Sequence, residues 1–288
     1  MIEDFRSRRM LKSLLIGLDG SNDCSSVLEL GLRWAKRFGA LAVGVGAVDE
    51  PGIIVSEAML FAGGDPWPVV DLASPLIVDS RQRVRQILDH FVERCGEVGV
   101  TCKRLEVIGS PYVQILRESQ RFDLILLSQE THFDYGHEDS ADETLRKVIR
   151  DTPRPVVAVP KTLSENDAVI VAYDGSLQAS RALYAFQSSG LGRGCKVHVV
   201  SVASDSEEAA RHAGRALDFL HPHGIDAILH PVATTENTAE ILLKMAHHLK
   251  AGLLVIGAYG QPVLREFFLG SVTRTILAKS PVPVFCYH

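Results

Sequence analysis

Apolar residues along this chain fall in short consecutive runs, separated by longer stretches in which they recur every three or four positions. In the first half, runs at 12–18, 41–48, 101–107, 123–128 and 155–159 read as strands. Segments at about 24–38, 79–98, 111–120 and 142–151 read as helices. Strands alternating with helices imply right-handed βαβ crossovers and a parallel sheet. Leu124–Leu127 and Leu253–Ile256 are apolar at every position, as a sheet covered on both faces requires. Ser21 and Ser176 are N-cap candidates, and Gly39 and Gly99 stand where helices should end.

The pattern occurs twice. LLIGLDGS at 14–21 matches VIVAYDGS at 169–176, and Gly39 matches Gly194 at the same offset of 155 (19 to 174, 39 to 194). Further on, 99–110 pairs with 224–235, DLILLS at 123–128 with GLLVIG at 252–257, and TPRPVVAV at 152–159 with SPVPVFCY at 280–287. The shorter second copy lacks an insert at about 49–80. A repeat of this length makes each copy a domain rather than a solenoid unit. The expected architecture is therefore α/β, with two tandem doubly wound parallel-sheet domains at 1–160 and 161–288, joined by the polar linker 161–168. Insert 49–77, with its Ile53-Ile54-Val55, Met59-Leu60-Phe61 and Pro66-Trp67-Pro68 runs, reads as a cover over the first core. An apolar-ligand pocket beneath it is the lesser reading.

Composition narrows the function classes. A net charge of −5 argues against a partner held by phosphate neutralisation, so no nucleic acid is expected. No apolar run reaches the ~18 residues of a membrane span, and Met1–Ser13 is charged where an export signal needs an apolar stretch. The 5 cysteines are scattered without a CxxC pair, which is cytosolic usage. A cytoplasmic protein without membrane attachment is the expectation.

Open parallel sheets bind ligands at the carboxyl ends of strands, where the strand order reverses. Two loops of the second copy belong there. One is Asp174-Gly175-Ser176. The other runs from Gly257 through Gly260 and nine further residues to Gly270-Ser271, which opens a helix. Gly257 and Gly260 admit a close backbone approach. Gly270-Ser271 offers helix N-terminal N–H groups to an anion. This spacing, with Leu269-Gly270-Ser271-Val272-Thr273 and the closing Pro281-Val282-Pro283-Val284, resembles the universal stress protein family over nearly the whole chain, as two tandem copies. The resemblance implies a five-stranded parallel sheet per copy and ATP, with or without Mg²⁺, as ligand. It carries ligand contacts onto Ala172, Tyr173 and Asp174 at the end of the second copy's first strand, and onto Val202 near the adenine. It places Ile256, Gly257, Gly260, Gly270, Ser271, Val272 and Thr273 around ribose and phosphates. Universal stress proteins pair through their final strand, so 155–160 and 283–288 are expected to join the copies as an intramolecular pseudo-dimer; a homodimer beyond it stays open.

The first copy departs from this pattern. Its loop begins Ser128-Gln129-Glu130-Thr131 and carries Asp142-Glu143 where Gly-Ser belongs. Glu130, Asp134, Glu138, Asp139, Asp142 and Glu143 share that window with no Lys or Arg, which opposes a triphosphate. Bland readings stand beside these. Asp19 and Asp174 suit Asx turns, and for Asp19 the turn is the better reading. Gly190-Leu191-Gly192-Arg193-Gly194 follows a helix and precedes a strand, which makes it a helix-terminating loop rather than a dinucleotide fingerprint. His221, His223, His247 and His248 read as solvated surface. His132, Asp134 and His137 form a somewhat better metal candidate. The chain carries no GxxxxGK[ST], HExxH or GxSxG. The leading reading is an ATP-binding stress-response module with one site in the second copy and no catalytic residues. A slow ATP hydrolase and a ligand-free interaction scaffold are the alternatives.

Overall fold

The computed structural model describes residues 11–21, 24–54, 67–133 (backbone alone over 67–73), 143–258 and 270–288. Two compact units divide the chain: 12–153, and 154–288 together with 1–11.

The first unit holds β1 (Ser13–Gly17), α1 (Cys24–Phe38), β2 (Leu41–Val48), α2 (Trp67–Val98), β3 (Cys102–Ile108), α3 (Pro111–Ser119), β4 (Leu124–Ser128) and α4 (Thr144–Asp151). Its strands lie in the order β3-β2-β1-β4, and the pairs β1–β2, β1–β4 and β2–β3 are parallel. The central strands are buried at nearly every position, whereas β3 is buried at none, its residues half-buried or exposed, and carries Lys103, Arg104 and Glu106 along the border. Charge on a border strand discourages edge-to-edge association. Helix α2 starts well before the expected 79, at Trp67, with Pro75 inside it. Val84, Leu88, Phe91 and Cys95 form its buried stripe, and that helical spacing was visible in the sequence. The turn ahead of Pro75 was not, because proline disfavours a helical conformation for the residue before it.

The second unit holds β5 (Val156–Val159), β6 (Ala168–Ala172), α5 (Leu177–Ser189), β7 (Val197–Ala203), α6 (Ser206–Leu220), β8 (Ala227–Ala233), α7 (Thr238–His248), β9 (Ala251–Gly257), α8 (Ser271–Lys279) and β10 (Val284–Tyr287). The strand order is β5-β10-β9-β6-β7-β8. Strands β6 to β10 are mutually parallel, which gives the five-stranded sheet expected of a copy. The sixth strand, β5, is the first copy's last. It pairs antiparallel with β10, Phe285 opposite Val157. All four residues of β5 are buried, as are Val284, Phe285 and Cys286. An apolar strand left at a sheet border needs a partner, and these two supply one another.

Helix ends follow the sequence signals. Ser176 caps α5 by accepting the Ala179 N–H at 3.1 Å, and Gly190 ends that helix at φ 76°. Asp205 and Asn237 do the same for α6 and α7, accepting from Glu208 at 2.8 Å and Ala239 at 2.9 Å. The Ser21 hydroxyl donates to Asp19 at 2.7 Å, and the two residues between it and α1 lie outside the described residues.

Candidate functional site

The strand order of the second unit reverses at β6, which has β7 and β8 to one side and β9 and β10 to the other. A cleft opens at the carboxyl ends of these strands. Its lining includes Ala172, Tyr173 and Asp174 after β6, Val200 and Val202 of β7, Ile256 and Gly257 of β9, and Val272 and Thr273 of α8. Ser176 and Ala179 of α5 and Thr238 and Leu242 of α7 complete it.

Each wall has a local cause. Tyr173 is buried with its polar groups engaged: its hydroxyl meets Ser180 Oγ at 3.0 Å, its N–H donates to the Val200 carbonyl at 3.0 Å, and its carbonyl accepts the Ser201 hydroxyl at 2.6 Å. Asp174 is exposed and accepts the Ser176 N–H at 3.0 Å, an Asx turn that leaves a carboxylate at the mouth of the cleft. Gly257 has a structural cause. A Cβ there would stand 2.5 Å from the Ala179 nitrogen and 2.6 Å from the Gln178 carbonyl carbon, so β9 can meet the start of α5 only through glycine. Gly270 is the N-cap of α8 and has no side chain to cap it, and a Cβ built on it meets none of the described residues within 4 Å. The first N–H groups of α8 therefore begin at an open position beside the cleft, an arrangement that favours an anion.

The structure thus brings together Ala172, Tyr173, Asp174, Val202, Ile256, Gly257, Val272 and Thr273. Gly270 and Ser271 stand exposed at the start of α8, and Gly260 lies outside the described residues. Val200, Thr238 and Leu242 were missed by sequence reasoning. Val200 lies two positions before Val202 on one strand and so shares its face. The α7 pair carried no motif.

The first unit treats the same positions otherwise. Asp19 is buried, its Oδ1 accepting the Ser21 N–H at 3.0 Å and its Oδ2 the His132 N–H at 2.9 Å. Burial pushes its carboxyl above the ordinary value, against the lowering effect of those hydrogen bonds. Gly17, the counterpart of Ala172, has the fully buried Phe133 ring beside it, 3.2 Å from where its Cβ would stand. Glu143, at the N-cap of α4, pairs with Lys147 at 3.5 Å. The expectation of acids without a counter-cation stopped one turn short of that lysine. Asp134 and His137 lie outside the described residues, so the cluster with His132 is not described. Among the described residues no three His, Cys, Asp or Glu side chains are grouped to hold a metal. His223 donates from Nδ1 to the Phe219 carbonyl at 2.8 Å. No described helix is long and apolar enough to cross a membrane.

Residues 165–288, the whole of this second copy, match the universal stress protein family. Residues 165–288 therefore carry a universal stress protein domain. A universal stress protein of Synechocystis sp. (Slr1230) is 26% identical over 172 residues; the match takes in 58% of this chain and 58% of that one. The chain therefore spans under two-thirds of that relative's length. Among solved structures, a universal stress protein from Archaeoglobus fulgidus shares the fold at a TM-score of 0.71 and 20% identity, covering 96% of either chain. A second, described as a putative universal stress protein from Pseudomonas aeruginosa, aligns at a TM-score of 0.60 and 16% identity, over 98% of this chain and 94% of its own. These likenesses extend the universal stress protein fold over both copies.

Proposed function

We propose that this universal stress protein is a regulatory module that binds one ATP in the cleft of its second copy. The observation that carries this reading is the convergence of three chemistries in one cleft. Val200, Val202, Leu242 and Ile256 offer an apolar slot to a flat base. The exposed Asp174 carboxylate is an acceptor for ribose hydroxyls. The start of α8 offers N–H groups to phosphates. The first copy, with Phe133 against Gly17 and Asp19 engaged by its own loop, takes no second nucleotide. Mg²⁺ fits as a companion of the phosphates rather than a resident ion: Asp174 is the only charged side chain among the described lining residues, and this metal is commonly held by one carboxylate plus phosphate oxygens. Asp174 is also the only acid–base group in that lining apart from the committed Tyr173, so hydrolysis is at most slow and the output is binding-state signalling in the cytoplasm.

Calorimetric titration of the full chain with MgATP tests the reading. One site per chain, lost in Gly270→Asp, is expected. Two equal sites would overturn the assignment of the first copy, and no binding of ATP, ADP or AMP would leave the scaffold reading.

A further inference from the structure

The turn that carries Asp174 is backed by a side chain from another element. Gly175, between Asp174 and Ser176, takes a φ of 76°, a left-handed conformation that glycine adopts without strain. A Cβ built there would stand 2.3 Å from His212 Nδ1 and 2.4 Å from His212 Cε1, so one edge of that imidazole rests on the glycine. His212 lies on α6. Its Nε2 is 3.5 Å from the Glu208 carboxylate one turn earlier, and 18% of its side chain is exposed. Glu208 in turn donates its N–H to the capping Asp205 at 2.8 Å. His212 Nδ1 is buried and has no hydrogen-bond partner among the described residues. One ring nitrogen thus faces a carboxylate of its own helix, and the other faces the turn. Among the described residues the Asp174 side chain has a single hydrogen bond, from the Ser176 N–H at 3.0 Å. The equivalent Asp19 has further support, because its Oδ2 also accepts the His132 N–H at 2.9 Å.

We propose that His212 is a positioning residue of the nucleotide cleft: by bearing on Gly175 it fixes the direction in which Asp174 presents its carboxylate to ribose hydroxyls. This rests on the reading of the cleft as an ATP site with Asp174 as the ribose acceptor. Both ends of the turn are already anchored. Upstream, the Tyr173 N–H donates to the Val200 carbonyl at 3.0 Å. Downstream, Ser176 caps α5 by accepting the Ala179 N–H at 3.1 Å. Gly175 is the middle residue of the Asx turn and, as a glycine, the link with the widest backbone freedom. The imidazole closes that freedom from outside. His212 is not among the described lining residues of the cleft, so it acts through Asp174 rather than on the ligand. Holding an acceptor in its bound direction before the ligand arrives spares the cost of ordering it on binding.

Two ligands separate this role from general support of the fold. ATP and 2′,3′-dideoxy-ATP differ in the ribose hydroxyls alone, so the ratio of their affinities reads the Asp174 contact. Calorimetric titration of the full wild-type chain should show a preference for ATP of roughly tenfold or more, as a hydrogen bond to a charged group supplies. Asp174→Ala should abolish that preference. His212→Ala should lose it too, while binding dideoxy-ATP as the wild type does. His212→Asn, which keeps a polar atom at the place of Nδ1 beside Gly175, should retain the preference. His212→Gln, whose amide reaches toward Glu208 instead, should not. Equal weakening of both ligands in His212→Ala and His212→Gln would mean support of the fold alone, and an undiminished preference would mean that the turn needs no backing; either result overturns the proposal. If His212→Ala shows no cooperative thermal melt, the contrast between Asn and Gln decides. A wild-type chain that binds neither ligand, or both alike, would instead overturn the reading of the cleft, and the proposal with it.

Discussion

The Asp19 carboxylate accepts the backbone N–H of His132 at 2.9 Å, joining the end of β1 to the chain just beyond β4. Its counterpart Asp174 makes the same turn with the residue two positions on, but stays exposed at a cleft. The repeat therefore keeps the turn and changes its use. In the first copy the aspartate is buried under its own loop, with Phe133 beside Gly17; in the second it is exposed at a cleft that also takes in the start of α8, where the N-cap is a glycine.

Burial raises the Asp19 carboxyl above 3.8. The native state then holds a proton that the unfolded chain has released, so the contribution of this group is fully present below 3.8 and is lost as pH rises through the raised value. Asp19→Asn should remove that loss. The substitution also turns an amide donor toward the N–H of His132 or Ser21, costing about 1–3 kcal/mol at every pH. It shifts the level of stability; the titration changes the slope. Urea midpoints of wild type and variant across acid to neutral pH should diverge in slope, and parallel lines would refute burial as the dominant influence.

Two glycines of the cleft should separate fold from binding. At Gly270 an added Cβ meets none of the described residues within 4 Å, and Asp is a favoured N-cap. Gly270→Asp should keep or slightly raise thermal stability while weakening ATP binding by roughly tenfold or more, about 1.4 kcal/mol, by setting a carboxylate where phosphates approach the helix start. Gly257→Ala drives a methyl into the backbone of α5 and should lower stability first. A Gly270→Asp chain with unchanged affinity would move the phosphates elsewhere.

His198 Nδ1 lies 2.8 Å from His230 Nε2 across β7 and β8, so one ring donates and the other accepts. Desolvation, then the charges facing the pair (Lys196 toward both, His248 toward His230), hold both imidazoles below 6.5. The neutral pair stabilises the second unit fully above 6.5, and that contribution is lost as pH falls from there toward the lowered values. Wild-type melting temperature should drop as pH falls below neutrality, and His230→Gln should flatten the drop. An unchanged pH profile in that variant would exclude the pair as its source.

Much of this was legible in the chain. Consecutive apolar residues marked the buried strands, and Asp-Gly-Ser at 19–21 and 174–176 marked equivalent turns. The repeat itself predicted two copies of one architecture. What escaped were contacts between segments distant in sequence. Nothing local to Asp19 announces the His132 N–H, and nothing in Phe133 announces Gly17. Gly257 was legible as a close approach, but the backbone it approaches is that of α5. Lys147 stood one turn outside the window in which charges were weighed. Likewise, two Pro-bracketed strands predicted a partnership between β5 and β10, while their register had to come from the structure.

That register sets the last prediction. Val157 and Val284 are fully buried, so a charge at either would destabilise the chain whether or not the strands pair, and scattering by such variants would not isolate the pairing. Cysteine is the gentler probe, because Cys286 already lies opposite Val156. Directly opposed residues have Cβ atoms about 4.5–5.5 Å apart, close enough for a disulfide after small adjustment. A one-residue slip would turn the partner to the other face. Burial holds the Cys286 thiol far above its usual range, so the folded protein would close the bond slowly. Refolding under oxidising conditions is the suitable route. Val156→Cys should give an intrachain link to Cys286, read by peptide mapping, with the chain remaining a monomer on a non-reducing gel. Val157→Cys, opposite Phe285 instead, should remain unlinked to Cys286. Linkage from 157 rather than 156 would mean a shifted register, and a link joining two chains would mean that β5 and β10 pair between molecules.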